Sequence, residues 1–304
     1  MNIFITGGTG FIGSWVVKEL LQFHPDADLV LLARNPNKIP EFQTHSRIQI
    51  VHAELSDFSR IKEAMSGCDT CIHIALGWGE TPLTMLENDT RCTVHLLECA
   101  ANLKMKRFIY TSSTAAGGHD RSYIAETSDP LPADLYGATK LASEAYVRGV
   151  SSQLGLPAHI IRPGYTFGNP SFPGATPQVD QRFHNIVRAA LKNDPIQLTK
   201  EDGTQFISAA ALAKLYTGCM NLNDSCQTFY GLGTRFVTWE KIAEMAVYKT
   251  GSSSRIVLDD KGWAKGTANF DVKKINRYFG ISTDPLDEID THLDWLIETL
   301  RQDL

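Results

Sequence analysis

Along the first half of the chain, short runs of consecutive apolar residues alternate with stretches whose apolar residues recur at helical spacing. The runs are NIFIT (2–6), LVLLA (29–33), IQIVHA (48–53), CIHIA (71–75), RFIYTS (107–112) and AHIIRP (158–163). Each is continuous rather than alternating, which is the pattern of strands covered on both faces in a parallel sheet. Between them, Ile12, Val16 and Leu20 share one helix face. The segment TPLTMLENDTRCTVHLLECAANL opens with Thr81 as an N-cap and Pro82 at the first helical position. DLYGATKLASE, Asp134 to Glu144, reads as the opening turns of another helix. Strand–helix alternation of this kind predicts a doubly wound α/β sheet with right-handed crossovers.

The rhythm changes after about residue 165. A Gly/Pro-rich loop, GNPSFPGATP (168–177), precedes a helical segment carrying Phe183, Ile186, Val187 and Leu191. The chain closes on an amphipathic helix with Leu286, Ile289, Leu293, Leu296 and Leu300. The expected division is a sheet domain over residues 1–165 and a smaller C-terminal α/β lobe over 166–304. The boundary is soft, because some strands of the lobe are expected to extend the main sheet.

Composition narrows the function classes. With 304 residues, 43% apolar and 21% charged, the chain can build a full core and is not a disordered type. Net charge is −5 and no basic run stands out, which argues against a nucleic-acid or polybasic membrane partner. No apolar stretch approaches the ~20 residues needed to span a bilayer, and MNIFITGG is too short for a signal-peptide core. A cytoplasmic location is therefore expected. The six cysteines are then expected to be reduced, with Cys71 of CDTC in a buried strand and Cys68 in a turn. His73 lies within the same strand and reads as a core histidine. No His/Cys/Asp cluster has metal-ligand spacing, so no metal is expected.

Candidate chemistry begins with ITGGTGFIGSW. Gly7, Gly10 and Gly13 follow the first strand and open the first helix, where missing side chains let a pyrophosphate approach the backbone and the helix N-terminus. About 20 residues on, at the end of the second strand, an acid would bind a ribose 2′-hydroxyl. Here LLARNPNK places Arg34, with Lys38 four residues later, which suits a 2′-phosphate and favours NADP(H) over NAD(H). Glu54 and Leu55 end the third strand, where an acid could accept from an adenine amino group. Tyr136 and Lys140 stand one turn apart on a helix face, either as surface decoration or as an acid and the group that tunes it.

The chain resembles the extended short-chain dehydrogenase/reductases of the NAD-dependent epimerase/dehydratase family. The resemblance covers most of the first 170 residues and rests on TGGTGFIG, CIHIA, RFIYTSST, SDPLPADLYGATKLASE and IIRPGYTFGNP, in family order. It implies a Rossmann-type sheet with a smaller substrate lobe. It also implies that Tyr136 is the acid/base, that Lys140 favours the phenolate and bonds the nicotinamide ribose, and that Ser113 holds the substrate oxygen. Ser112 and Thr114 are rivals for that last role, and Trp78 and Tyr165 are further candidate substrate contacts. Phe11 and Ile12 fall within the glycine fingerprint, Ala75 and Leu76 would line the middle of the cofactor, and Pro163 and Gly164 would pass its nicotinamide end. Many relatives pair through helices, which implies a homodimer by analogy.

Departures from the family pattern bear on the substrate. SSTAAGG lacks the Asp-Glu pair of the dehydratases, and Phe206 and Ala209–Ala211 stand where sugar epimerases carry an arginine and acids. Arg182, Arg188 or Arg255 could supply a replacement cation. The family's helix asparagine is missing, with Asp89 nearest to its place. His119 and Asp120 either touch substrate or form a surface turn. The expected activity is NAD(P)-dependent hydride transfer at a secondary alcohol or carbonyl carbon, by a nucleotide-sugar epimerase or related small-molecule oxidoreductase. GFIGSW and Arg34 also resemble dihydroflavonol reductases, so an NADPH-dependent carbonyl reductase is the alternative. A non-catalytic NADP-binding sensor or regulator is a lesser one.

Overall fold

The computed structural model describes residues 1–119, 122–222, 226–262 and 269–302; Asp120 lies outside them. Seven strands form one parallel sheet: β1 (Asn2–Thr6), β2 (Asp28–Ala33), β3 (Ile48–His52), β4 (Thr70–His73), β5 (Arg107–Thr111), β6 (Ala158–Pro163) and β7 (Gln227–Gly231). Their spatial order is β7-β6-β5-β4-β1-β2-β3. The six apolar runs all become strands of this sheet, with ends moved by one or two residues. The direction of winding reverses between β1 and β4, and a crevice opens there at the carboxyl ends.

The continuity of the apolar runs has a direct physical cause. Ile3 and Ile5 of β1 point to one face, with Leu29, Leu31, Ile72 and Ile109, while Phe4 points to the other with Leu32, Cys71 and Phe108. Helices α1 (Phe11–Phe23) and α6 (Ala209–Cys219) cover the first face through Val16, Val17, Leu20, Leu212, Leu215 and Tyr216. Helices α2 (Phe58–Met65), α3 (Arg91–Asn102) and α4 (Leu135–Leu154) cover the second through Ile61, Met65, Leu96, Leu97 and Val147. The inner strands are thus largely removed from water, at roughly 2 kcal/mol for each large apolar side chain, while edge strand β3 stays half-buried with Gln49 and His52 exposed. Helices α5 (Arg182–Lys192), α7 (Trp239–Thr250) and α8 (Pro285–Arg301) lie in the C-terminal half of the chain.

These last three helices pack around a separate cluster that holds Phe167, Phe183, Phe206, Trp239 and Leu293. The connection between β6 and α5 crosses the first helix on its way there. Trp15 Nε1 donates to the Asn169 carbonyl at 2.9 Å, and Thr176 Oγ1 donates to the Thr9 carbonyl at 3.0 Å. The loop is therefore tied across the glycine-rich turn.

The segment from Thr81 to Leu103 departs from a simple helix. Thr81 caps it, accepting from Thr84 N, and Pro82 occupies the first turn. Residues Leu86–Thr90 then wind as a π-helical turn before α3 begins at Arg91. The wider turn brings Asp89 and Thr90 inward, and both are buried. Among the described residues, no helix is long and apolar enough to cross a membrane.

Candidate active site

A cleft of about 930 Å³ opens over the carboxyl ends of β1, β2, β3 and β4. Gly7, Gly10, Phe11, Ile12 and Gly13 form one wall. Gly7 has φ +74, and a Cβ there would sit 2.7 Å from the Ala75 backbone nitrogen. A Cβ at Gly13 would overlap the Gly7 carbonyl oxygen. Only glycine permits this turn, and it leaves the N-terminus of α1, capped by Gly10 with no side-chain bond, beside the cleft. Such a cradle can hold a pyrophosphate.

Arg34, Lys38, Glu54 and Leu55 line the far end of the same cleft, and Ala75, Leu76 and Trp78 line its middle. Arg34 is exposed at the tip of β2, with no carboxylate in its place. Gly164 and Tyr165 line the opposite wall, while Pro163 is buried within β6 and does not reach the lining.

Tyr136, Lys140 and Ser113 meet beside this cleft. Asp134 caps α4 by accepting from Gly137 N at 2.6 Å, which sets Tyr136 in the first turn. The Ser113 side chain lies close enough to the Tyr136 phenol to favour its ionised form, and Trp78 lies with its ring 6.3 Å from the Tyr136 ring. Lys140 is 2% exposed, with Nζ 5.9 Å from the Tyr136 ring centroid and 5.3 Å from that of Tyr110. Burial pushes the Tyr136 phenol above its usual value, and the Asp89 and Asp134 charges add to this while the nearby Ser113 side chain opposes it. Burial also pulls the Lys140 ammonium below its usual value, against the pull of Asp89. The arrangement holds a phenol as a proton donor with a cation beneath it.

Of the two rivals of Ser113, one is engaged elsewhere and the other is buried. Ser112 Oγ donates to Glu144 Oε1 at 2.6 Å, and Thr114 is buried at the start of a short turn. Like Ser113, Tyr136 and Lys140 themselves, neither is among the residues that line the cleft. His73 is fully enclosed between Thr6 Oγ1 at 2.7 Å and Thr93 Oγ1 at 3.0 Å. Thr6 Oγ1 accepts from Ile74 N and Ala75 N, so its proton goes to His73 Nδ1 and leaves Nε2–H for Thr93. Burial, with Lys140 nearby, holds this imidazole neutral, down to about 3.

The distal wall contains residues that no motif marked. Gln178 is buried and donates to the Tyr165 hydroxyl at 2.8 Å. Arg182 lies over the Trp239 ring at 4.4 Å and is paired with Asp180 at 2.8 Å and Asp202 at 3.7 Å. Of the three arginines named as replacement cations, Arg182 lines the cleft, whereas Arg188 and Arg255 are exposed outside its lining. Phe206 is buried against Tyr165, Phe167, Phe183 and Trp239, where it holds the wall in place. His119 is exposed with its ring edge-on to Phe270.

Comparison with known proteins agrees with this geometry. A model of the NAD dependent epimerase/dehydratase family matches residues 3–222. The Bacillus subtilis (strain 168) protein described as an uncharacterized UDP-glucose epimerase, YtcB, is 24% identical over 217 residues, 65% of this chain and 65% of that protein. Cinnamoyl-CoA reductase 2 of Arabidopsis thaliana is 33% identical over 118 residues, 37% of this chain and 35% of that protein. The chain thus spans less than two thirds of the length of these curated relatives. The crystal structure of UDP-glucuronic acid 4-epimerase from Bacillus cereus, in complex with NAD, has the same fold. It superposes with a TM-score of 0.81 at 20% identity, covering 98% of this chain and 99% of that one. The matched span takes in the glycine turn, β1 to β6, the Tyr136–Lys140 helix and the distal wall, and the chain belongs to the NAD dependent epimerase/dehydratase family.

Proposed function

We propose that the chain is an NAD(P)-dependent enzyme that moves a hydride to and from a secondary alcohol or carbonyl carbon, acting as a nucleotide-sugar epimerase or a related small-molecule oxidoreductase. The observation that carries this reading is the Tyr136 phenol, close to Ser113 and set above Lys140, beside a glycine-walled cleft. A bound nicotinamide would supply the hydride acceptor and donor. Tyr136 would pass the proton at its phenol oxygen, and Ser113 would hold the substrate oxygen in line with it. Lys140 would keep its charge beneath the ring and favour the phenolate when a base is needed. Gly7, Gly10, Phe11, Ile12 and Gly13 would receive the pyrophosphate, Ala75 and Leu76 the middle of the dinucleotide, and Glu54 and Leu55 the adenine. Pro163 would back the nicotinamide end from within β6, and Gly164 would line it. Trp78, Tyr165 and the Arg182 wall would form the substrate end.

Arg34 and Lys38 favour NADP(H), because a cation rather than a carboxylate would meet the 2′-position. That same observation favours a second reading, an NADPH-dependent carbonyl reductase. The experiment is cofactor titration followed by turnover of UDP-sugars and of aromatic carbonyl substrates, with Tyr136→Phe as the control. The expected result is a loss of about 10²–10⁴-fold in turnover for Tyr136→Phe with cofactor affinity kept. Unchanged turnover in that variant would sink the assignment. Arg34→Ala is expected to weaken NADPH binding roughly tenfold while sparing NADH, a change of ~1.4 kcal/mol.

A further inference from the structure

The connection from β6 to α5 makes a detour that its own end points do not require. Phe167, where it leaves, and Phe183, where it returns, stack with ring centroids 5.4 Å apart in the C-terminal cluster. The residues between them form an excursion of the Ω type, and it runs out over the half of the molecule that carries the glycine turn. At its start, Asn169 Oδ1 accepts from His292 Nδ1 of α8 at 2.7 Å. The Asn169 carbonyl accepts from Trp15 Nε1 at 2.9 Å and the Ser171 carbonyl from Lys18 Nζ at 3.4 Å, both donors standing on α1. Phe172 is buried, with its ring edge-on to Phe42 at 5.0 Å on the short helix Pro40–Thr44. Gly174 has φ +82, and a Cβ there would lie 2.3 Å from the Lys38 carbonyl oxygen, so this strap presses on the segment that carries Lys38. Thr176 Oγ1 then donates to the Thr9 carbonyl at 3.0 Å, and both threonines line the cleft. Gln178 follows, lining the cleft at 5% exposure; its Nε2 is taken by Tyr165, and its Oε1 has no hydrogen-bond partner among the described residues. A buried acceptor left in this way is unfavourable, and a ligand's donor relieves it.

We propose that the strap, Asn169 to Thr176, is the outer clasp of the dinucleotide site: it ties the C-terminal lobe to the glycine turn and the Lys38 segment, and so slows release of the bound cofactor. The inference rests on the reading that the cleft takes a nicotinamide dinucleotide. A pyrophosphate against the glycine turn would sit beside the Thr9–Thr176 link, and a group held by Lys38 would sit beside the turn at Gly174. To leave, the dinucleotide has to part these contacts. None of the strap's hydrogen bonds is made to the cofactor itself, since Trp15, Lys18 and Thr176 bond to main-chain carbonyls. Their loss therefore changes the rate of release more than the recognition of the ligand.

The test is stopped-flow release of the reduced cofactor from the full chain, NADPH or NADH according to which binds more tightly. Its fluorescence is followed as the oxidised form displaces it, and the thermal midpoint of the ligand-free protein is measured alongside. Thr176→Val and Trp15→Phe each remove one donor and keep most of the side chain's bulk. Each is expected to speed release about fivefold, the factor of one net hydrogen bond, and the double variant by about the product of the two. A strap with a purely structural role would lower the thermal midpoint and leave release unchanged, and that result overturns the proposal. A second measurement needs no variant: in the wild-type protein, amide hydrogen exchange over residues 169–176 is expected to slow at saturating cofactor. Unchanged exchange there overturns the proposal as well. A chain that bound neither NADPH nor NADH would sink the proposed function together with this inference, whereas bound cofactor with unaltered release sinks this inference alone.

Discussion

Two buried ion pairs stand one turn apart on the inner face of α4, and they differ in how completely they are satisfied. Glu144 accepts from Arg162 Nε and NH2 at 2.7 Å each, from Ser112 Oγ at 2.6 Å and from Arg148 NH2 at 2.8 Å. Arg162 NH1 donates to the Tyr230 hydroxyl at 3.0 Å. This is a bidentate, closed network, and it bolts α4 to β6 and β7. Asp89 and Lys140 are equally dry but farther apart, and an oxygen is left without a hydrogen bond. A saturated pair fixes structure because neither partner can change state cheaply. An undersatisfied pair leaves its charge available to a neighbour, and here the neighbour is Tyr136.

Among single substitutions at neutral pH, the largest effect should come from the closed network. Glu144→Ala leaves Arg162 buried and unpaired and is expected to cost about 3–5 kcal/mol in urea unfolding. A loss below about 1 kcal/mol would remove the contrast between the two pairs.

Next comes the acid limb. His73 and His292 are both held neutral, down to about 3, chiefly by burial. Each binds a proton in the unfolded chain below ~6.5 but not in the folded one. Stability is therefore lost as pH falls from ~6.5 toward 3, by about 1.4 kcal/mol per pH unit for each histidine. Unfolding curves at stepped pH, compared with a His73→Asn variant whose slope should be shallower by one histidine's share, check this.

Lys140 gives a smaller effect of the same sign at the other end. Its folded ammonium is held below its usual value, so the unfolded chain binds more protons until pH passes the ~10.4 of free lysine. Its contribution to stability thus rises with pH up to that value, and Lys140→Met should flatten the rise. An unaltered alkaline slope in that variant would argue against a burdened ammonium. The smallest effect is reserved for the surface. Lys106 and Asp69 approach to 2.7 Å, but the lysine side chain is 75% exposed, and Lys106→Ala is expected to cost under about 1 kcal/mol in the same assay.

Much of the fold was legible in the sequence for a local reason. NIFIT and RFIYTS carry apolar residues at consecutive central positions, Ile3–Ile5 and Phe108–Tyr110, because both faces of their strands are covered, and a strand of five residues contains its own evidence. The same holds for Thr81 and Pro82, whose capping role is complete within one turn. The short strand Gln227–Gly231 carried no such label, since its place at the edge of the sheet depends on β6. The π turn was also hidden. One widened turn leaves the apolar pattern on both sides intact, yet it decides that Asp89 faces inward.

The site divides along the same line. The sequence by itself determined the glycine turn, the spacing of Tyr136 and Lys140 on one helix face, and the absence of an acid after β2, because each depends on residues adjacent along one strand or helix. Only the tertiary structure decided that Asp89, some fifty residues upstream, reaches Lys140, that Ser112 is claimed by Glu144 while Ser113 lies by Tyr136, and that Arg182 is held between Asp180 and Asp202. Those outcomes depend on which side chains meet in a space without water. There the number of partners and their distances set the charge state, and neither quantity is written in sequence spacing.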